Sequence, residues 1–169
     1  MDSGGRRKAL AERLRGAQGP LSAAALAREL RVSRQVIVGD VALLRAGGLD
    51  VIATPRGYVL PRPPAGVACT LVCRHRPDQM EEELNTIVDQ GCTVLDVIVE
   101  HPIYGQITGP LQLSNRYEVS QFLARCQAQE AAPLSQLTEG IHLHTVLCPD
   151  EDAARRARDA LARAGILYQ

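Results

Sequence analysis

The chain has 169 residues, 46% of them hydrophobic and 22% charged, with a formal net charge of zero. That length can hold two small domains with cores of their own, and the composition excludes a disordered or collagen-like chain. No apolar run is long enough to span a membrane, and the opening residues, MDSGGRRKALAERL, lack the apolar segment of a signal peptide, so a cytoplasmic protein with no membrane partner is expected.

The zero total conceals a division. Residues 1–60 carry ten Arg or Lys against five Asp or Glu, and residues 61–169 carry nine against fourteen. A basic half beside an acidic half fits a nucleic-acid reader joined to a module with a different task, because only the reader needs to neutralise phosphates. The five cysteines, Cys69, Cys73, Cys92, Cys126 and Cys148, form no C-x-x-C pair. An odd count in a cytoplasmic chain argues against a disulfide framework, and small buried hydrophobes are expected.

A first helix is expected from about Arg6 to Arg15, with Ala9, Leu10 and Leu14 packed inward. A second runs from Ser22 to Leu30. A turn at Arg31-Val32 follows, and a third helix starts at Ser33, whose hydroxyl suits an N-cap. This is helix-turn-helix spacing. The third helix should bury Ile37, Val41 and Leu44, which leaves Gln35, Gly39 and Ala42 outward and Arg34, Val38 and Arg45 on the flanks. An amide followed by small side chains can approach a groove closely and pair with adenine. After Gly47-Gly48, the residues Val51–Thr54, Pro55-Arg56-Gly57 and Tyr58–Leu60 look like a hairpin wing with Arg56 at its tip. Ser33, Arg34, Gln35, Val38, Arg45 and Arg56 are therefore the candidate contacts to double-stranded DNA.

Residues 61–66, Pro-Arg-Pro-Pro-Ala-Gly, read as a stiff linker between a DNA-binding domain over 1–60 and a second domain over 67–169. The second domain alternates strands and helices. Strands are expected over Val67–His75, Cys92–Glu100, Gly105–Gly109 and Gly140–Cys148, and helices over Pro77–Gln90, Tyr117–Ala128 and Glu151–Ala164. Residues 129–139 are expected to be irregular, and 166–168 a last short strand. The fold class is α+β, with the second domain an α/β sandwich whose helices cover a sheet.

All four histidines lie in the second domain. His142 and His144 are two apart in the strand IHLHTVL, so both project from one face and form a natural half of a metal site. His75 ends the first strand and reaches the same place if the two strands are neighbours. A carboxylate could come from the following helix. Glu82 points away from its apolar stripe of Met80, Leu84, Ile87 and Val88, and Glu81 and Glu83 lie on opposite borders. Periodicity does not choose between those two. Three imidazoles and a carboxylate suit a divalent transition metal such as nickel, zinc or iron. His101, Tyr104 and Gln106, in HPIYGQ, are candidate effector-pocket or dimer residues.

The two halves together resemble the niacin-responsive transcriptional repressors of bacteria, which join a winged helix-turn-helix to a three-histidine (3H) domain. The phrases that carry the resemblance are VSRQVIVGDVALLRAGG, PRGYVL, His75 with its acidic helix, EHPIYGQITGPL and HLHTVL. The resemblance implies a metal held by His75, Glu83, His142 and His144, and so selects Glu83. It also implies nicotinic acid as corepressor, a homodimer on a palindromic operator, and control of niacin uptake or NAD biosynthesis genes. The alternative is a regulator for which the divalent ion itself is the signal. An enzyme is not expected, since no activated-nucleophile pattern is visible.

Overall fold

A computed structural model describes residues 2–61, 65–129 and 132–169. The chain divides into two compact units, Met1–Pro63 and Pro64–Gln169. Of the expected linker, residues 62–64 lie outside the described residues, as do 130 and 131 of the stretch expected to be irregular.

The first unit holds α1 (Ser3–Gly16), α2 (Ala23–Leu30), α3 (Arg34–Ala46), β1 (Ile52–Thr54) and β2 (Gly57–Val59). Each helix begins at a side-chain cap: Asp2, Ser22 and Ser33 accept from the backbone N–H of Gly5, Ala25 and Val36. Leu10, Leu14, Leu26, Ile37, Val41 and Val51 form one core. In α1 the third inward residue is Ala11 and not Ala9, which is half-buried. The helix starts three residues earlier than expected because Asp2 caps it. The pair β1–β2 is antiparallel, with Thr54 opposite Gly57. Tyr58 also bridges to Leu21, ahead of α2. Gly57 makes that approach possible: a Cβ there would lie 2.3 Å from the Leu21 carbonyl oxygen.

The second unit is a four-stranded antiparallel sheet in the order β3-β6-β4-β5. Its strands are β3 (Val67–Arg74), β4 (Thr93–His101), β5 (Gly105–Leu113) and β6 (Ile141–Cys148). The helices α4 (Met80–Val88), α5 (Arg116–Ala128) and α6 (Glu151–Arg163) supply Leu84, Ile87, Val119, Ala157 and Leu161 to a core shared with Leu71, Val94, Leu113 and Val146 of the sheet. A 3-10 turn over Pro77–Gln79 precedes α4, so the helix expected from Pro77 is tighter in its first turn. Residues 134–138 form a second 3-10 turn. The strand expected over Gly105–Gly109 continues to Leu113 through Pro110. β5 is an edge strand, and an edge tolerates a residue with no N–H to donate.

Candidate functional site

In the first unit the exposed face of α3 presents Arg34, Gln35, Val38, Gly39 and Ala42. Ser33 caps the helix with its hydroxyl, so its contribution to a DNA surface is to fix where the helix begins. Arg45 is exposed, and its Nε donates to the Val51 carbonyl at 2.7 Å, tying the end of α3 to the base of the hairpin. Arg56 occupies the two-residue turn between β1 and β2 and is half-buried there. A side chain the apolar pattern did not flag is Asp40, 3% exposed on the inner face of α3. It accepts from Arg6 at 2.5 and 3.2 Å, which joins α1 to α3. The signal was present, since an Asp within the stripe Ile37, Val41, Leu44 must find a cation once buried.

The second unit brings His75, Glu83, His142 and His144 together. Register explains half of it. β3 and β6 are neighbours, with Cys73 opposite His142 and Leu71 opposite His144, so the face of β6 that carries Val146 and Cys148 also carries both histidines. That face lies in the core, and both histidines are buried. His75 follows the end of β3 at the height of Gly140. A Cβ on Gly140, whose φ is +86°, would lie 2.4 Å from the His75 carbonyl oxygen. On α4, Glu83 is 1% exposed and Glu81 is exposed, so the helix turns the former toward the sheet.

The Glu83 carboxylate stands among three imidazole Nε2 atoms, at 2.7 Å from His75, 2.9 Å from His142 and 3.4 Å from His144. The other nitrogen of each ring is held by a backbone carbonyl. His75 Nδ1 donates to Arg76 (2.6 Å), His142 Nδ1 to Gly140 (2.9 Å) and His144 Nδ1 to Asp96 (2.6 Å). A carbonyl only accepts, so all three Nδ1 atoms carry hydrogen and all three Nε2 atoms face the centre. The Asp96 carbonyl is available because the β4–β6 pairing shifts register between Val94 and Ile98, which leaves an extra residue on β4. Burial pulls His75 and His144 down, but the hydrogen bond of His75 to Glu83 and the nearby Glu83 charge on both rings override this and hold both above the ordinary imidazole value. Burial would raise Glu83; the charge on His144 and the hydrogen bonds from His142 and His75 outweigh it and hold the carboxyl well below the usual range.

A group of this kind fits a metal ion. Neutral imidazoles would aim three lone pairs at a carboxylate, an arrangement that needs either protons or a cation between them. Among the described residues His144 Nε2 is buried with no hydrogen-bond partner, an orphaned ligand atom. Backbone carbonyls fixing the far ring nitrogen are the usual outer support of metal-bound histidine.

Residues 68–169 match the family model described as the 3H domain, and residues 6–59 match one described as an HTH domain. The chain is 45% identical over 160 residues to the transcription repressor NadR of Bacillus subtilis, covering 92% of this chain and 89% of that protein. It is 42% identical over 164 residues to the probable transcription repressor NiaR of Thermotoga maritima, covering 97% and 94%. The chain belongs to the niacin-responsive transcriptional repressor family. It is a DNA-binding transcription repressor and a regulator, not an enzyme. No helix among its described residues is long and apolar enough to cross a membrane.

Three residues singled out in this repressor's sequence lie apart from the histidine cluster. His101, Tyr104 and Gln106 belong to the exposed β4–β5 hairpin end. His101 Nδ1 accepts from the backbone N–H of Ile103 and Tyr104, so this ring serves its own turn. The cavity that does border the cluster, of about 370 Å³, is lined by His75, Arg76, Pro77, Ser135, Gln136, Glu139 and Gly140. Cys73, expected as a small buried hydrophobe, lies two residues before His75 and so shares its face of the strand. It is fully buried, and its Sγ lies within 4.8 Å of donor atoms of Glu83 and His142.

Proposed function

We propose that this repressor is a cytoplasmic homodimer whose affinity for its operator rises when nicotinic acid occupies a metal-holding 3H domain. The observation that carries the sensing half is the convergence of three carbonyl-oriented Nε2 atoms on the buried Glu83 carboxylate. His75, Glu83, His142 and His144 would hold a nickel, zinc or iron ion. A bound ion would supply an open position for the ring nitrogen or the carboxylate of a pyridine carboxylate. The adjoining cavity of about 370 Å³ lies within the usual range for small-molecule sites, and Arg76 on its wall, paired with Asp78 at 3.0 and 3.1 Å, would have to exchange that partner to meet an acid. Family membership supports the effector class. The genes controlled would be those of niacin uptake or NAD biosynthesis.

On the DNA side, Gln35 and Val38 read bases, Arg34 and Arg56 meet phosphates, and Ser33 and Arg45 hold the helix and hairpin in place. The dimer would form through the second domain, which leaves α3 and the hairpin free. Val72, Leu143 and Ile98 make a half-buried apolar row on the sheet face opposite the histidines, and Ile103 and Tyr104 on the hairpin end are 79% and 76% exposed. Ligand can strengthen DNA binding only by favouring the DNA-competent dimer. The test is a thermal shift of metal-loaded protein with nicotinate and with nicotinamide. Stabilisation by nicotinate supports the reading, and no shift at saturating nicotinate removes the corepressor.

A further inference from the structure

Cys73 shares the face of β3 that leads to His75, and in register it stands opposite His142. Its Sγ, a Glu83 oxygen and a His142 ring nitrogen all lie within 4.8 Å of one another. Metal–sulfur and metal–nitrogen bonds of about 2.3 and 2.1 Å place two donors of one ion no more than roughly 4.4 Å apart. The three atoms are therefore within small side-chain adjustments of a common ion. His144 Nε2, buried and without a hydrogen-bond partner among the described residues, is aimed at the same carboxylate. The side chain of Cys73 is fully buried beside these donors.

We propose that Cys73 is a ligand of the same ion, making this chain's centre a mixed thiolate, imidazole and carboxylate site. The inference rests on the metal reading given above for His75, Glu83, His142 and His144. The thiol proton leaves to solvent as the sulfur binds. Sulfur ligation biases the centre toward zinc, cobalt or nickel and away from magnesium and manganese, which favour oxygen donors.

The test uses the full chain, stripped and reloaded with cobalt(II) alone. Wild-type protein is expected to show a near-ultraviolet sulfur-to-cobalt charge-transfer band that saturates at one equivalent. The band is expected to vanish in Cys73→Ser and Cys73→Ala and to survive in Cys126→Ser, with cobalt affinity in the Cys73 variants reduced about tenfold or more. Stoichiometric cobalt without the band, or a band that persists in both Cys73 variants, overturns the thiolate and leaves the metal reading standing. A wild-type chain that binds no cobalt overturns both. Should the Cys73 variants fail to fold, the wild-type spectrum still decides between sulfur ligation and none.

Discussion

A backbone carbonyl accepts hydrogen bonds and never donates them, and that restriction orients all three buried imidazoles. Glu83 at their centre sets the sign of the pH response. With the ion removed, the raised His75 and His144 stabilise the fold fully below the unfolded imidazole value near 6.5, and that stabilisation is lost as pH rises through their folded values. The depressed Glu83 contributes above its unfolded value and is lost only in acid. Chelated protein is therefore predicted to melt at progressively lower temperature as pH is raised above neutrality. Metal-loaded protein is predicted to reverse that trend over the same range, because an ion needs the Nε2 atoms free of protons. Melting curves with and without chelator check both. At the same scale, His142→Ala with His144→Ala is expected to abolish stoichiometric metal, read by elemental analysis of protein whose circular dichroism stays folded.

The elements show which parts of the site the sequence made legible. The H-x-H spacing placed His142 and His144 on one face of β6, and helix rotation confined the carboxylate to a border of α4. That β3 lies beside β6 is a long-range pairing no local pattern reveals, and without it His75 has no route to the cluster. Burial of β6 was equally hidden, because an alternating strand with histidines on one face suits a solvated surface as well as a covered one. The bulge at Asp96 left no signal at all. Most of the fold was readable because caps, apolar periods and glycines agreed, and the misjudged points, such as Ala9 and the end of β5, lie where an early cap or an edge position changed the expected boundary. Gly140→Ala brings a methyl against the His75 carbonyl and is expected to weaken metal binding by about ten- to a hundredfold through the displaced ring, measured by competition with a chelating dye. In the reading head, Gln35→Ala is expected to relax base preference at one position, at a cost of about 1–3 kcal/mol against the preferred base. Arg56→Ala is instead expected to weaken binding across all sequences and reduce the salt slope by about one. Binding-site selection and salt titration separate the two.

For the whole molecule, the claim is a coupling between two compact units, and coupling requires differential binding. An effector that fills the 3H domain equally well in every arrangement of the dimer shifts nothing at the operator. The proposed coupling works through a dimer, and Leu143→Arg on the apolar sheet face is expected to convert dimer to monomer in sedimentation and to weaken operator binding. The central measurement is operator affinity of the full chain in four states: stripped, metal alone, nicotinate alone and both together. Tight binding only when metal and nicotinate are both present is the predicted result. Equal affinity in all four states would contradict the account, and a rise with metal alone would assign the signal to the ion.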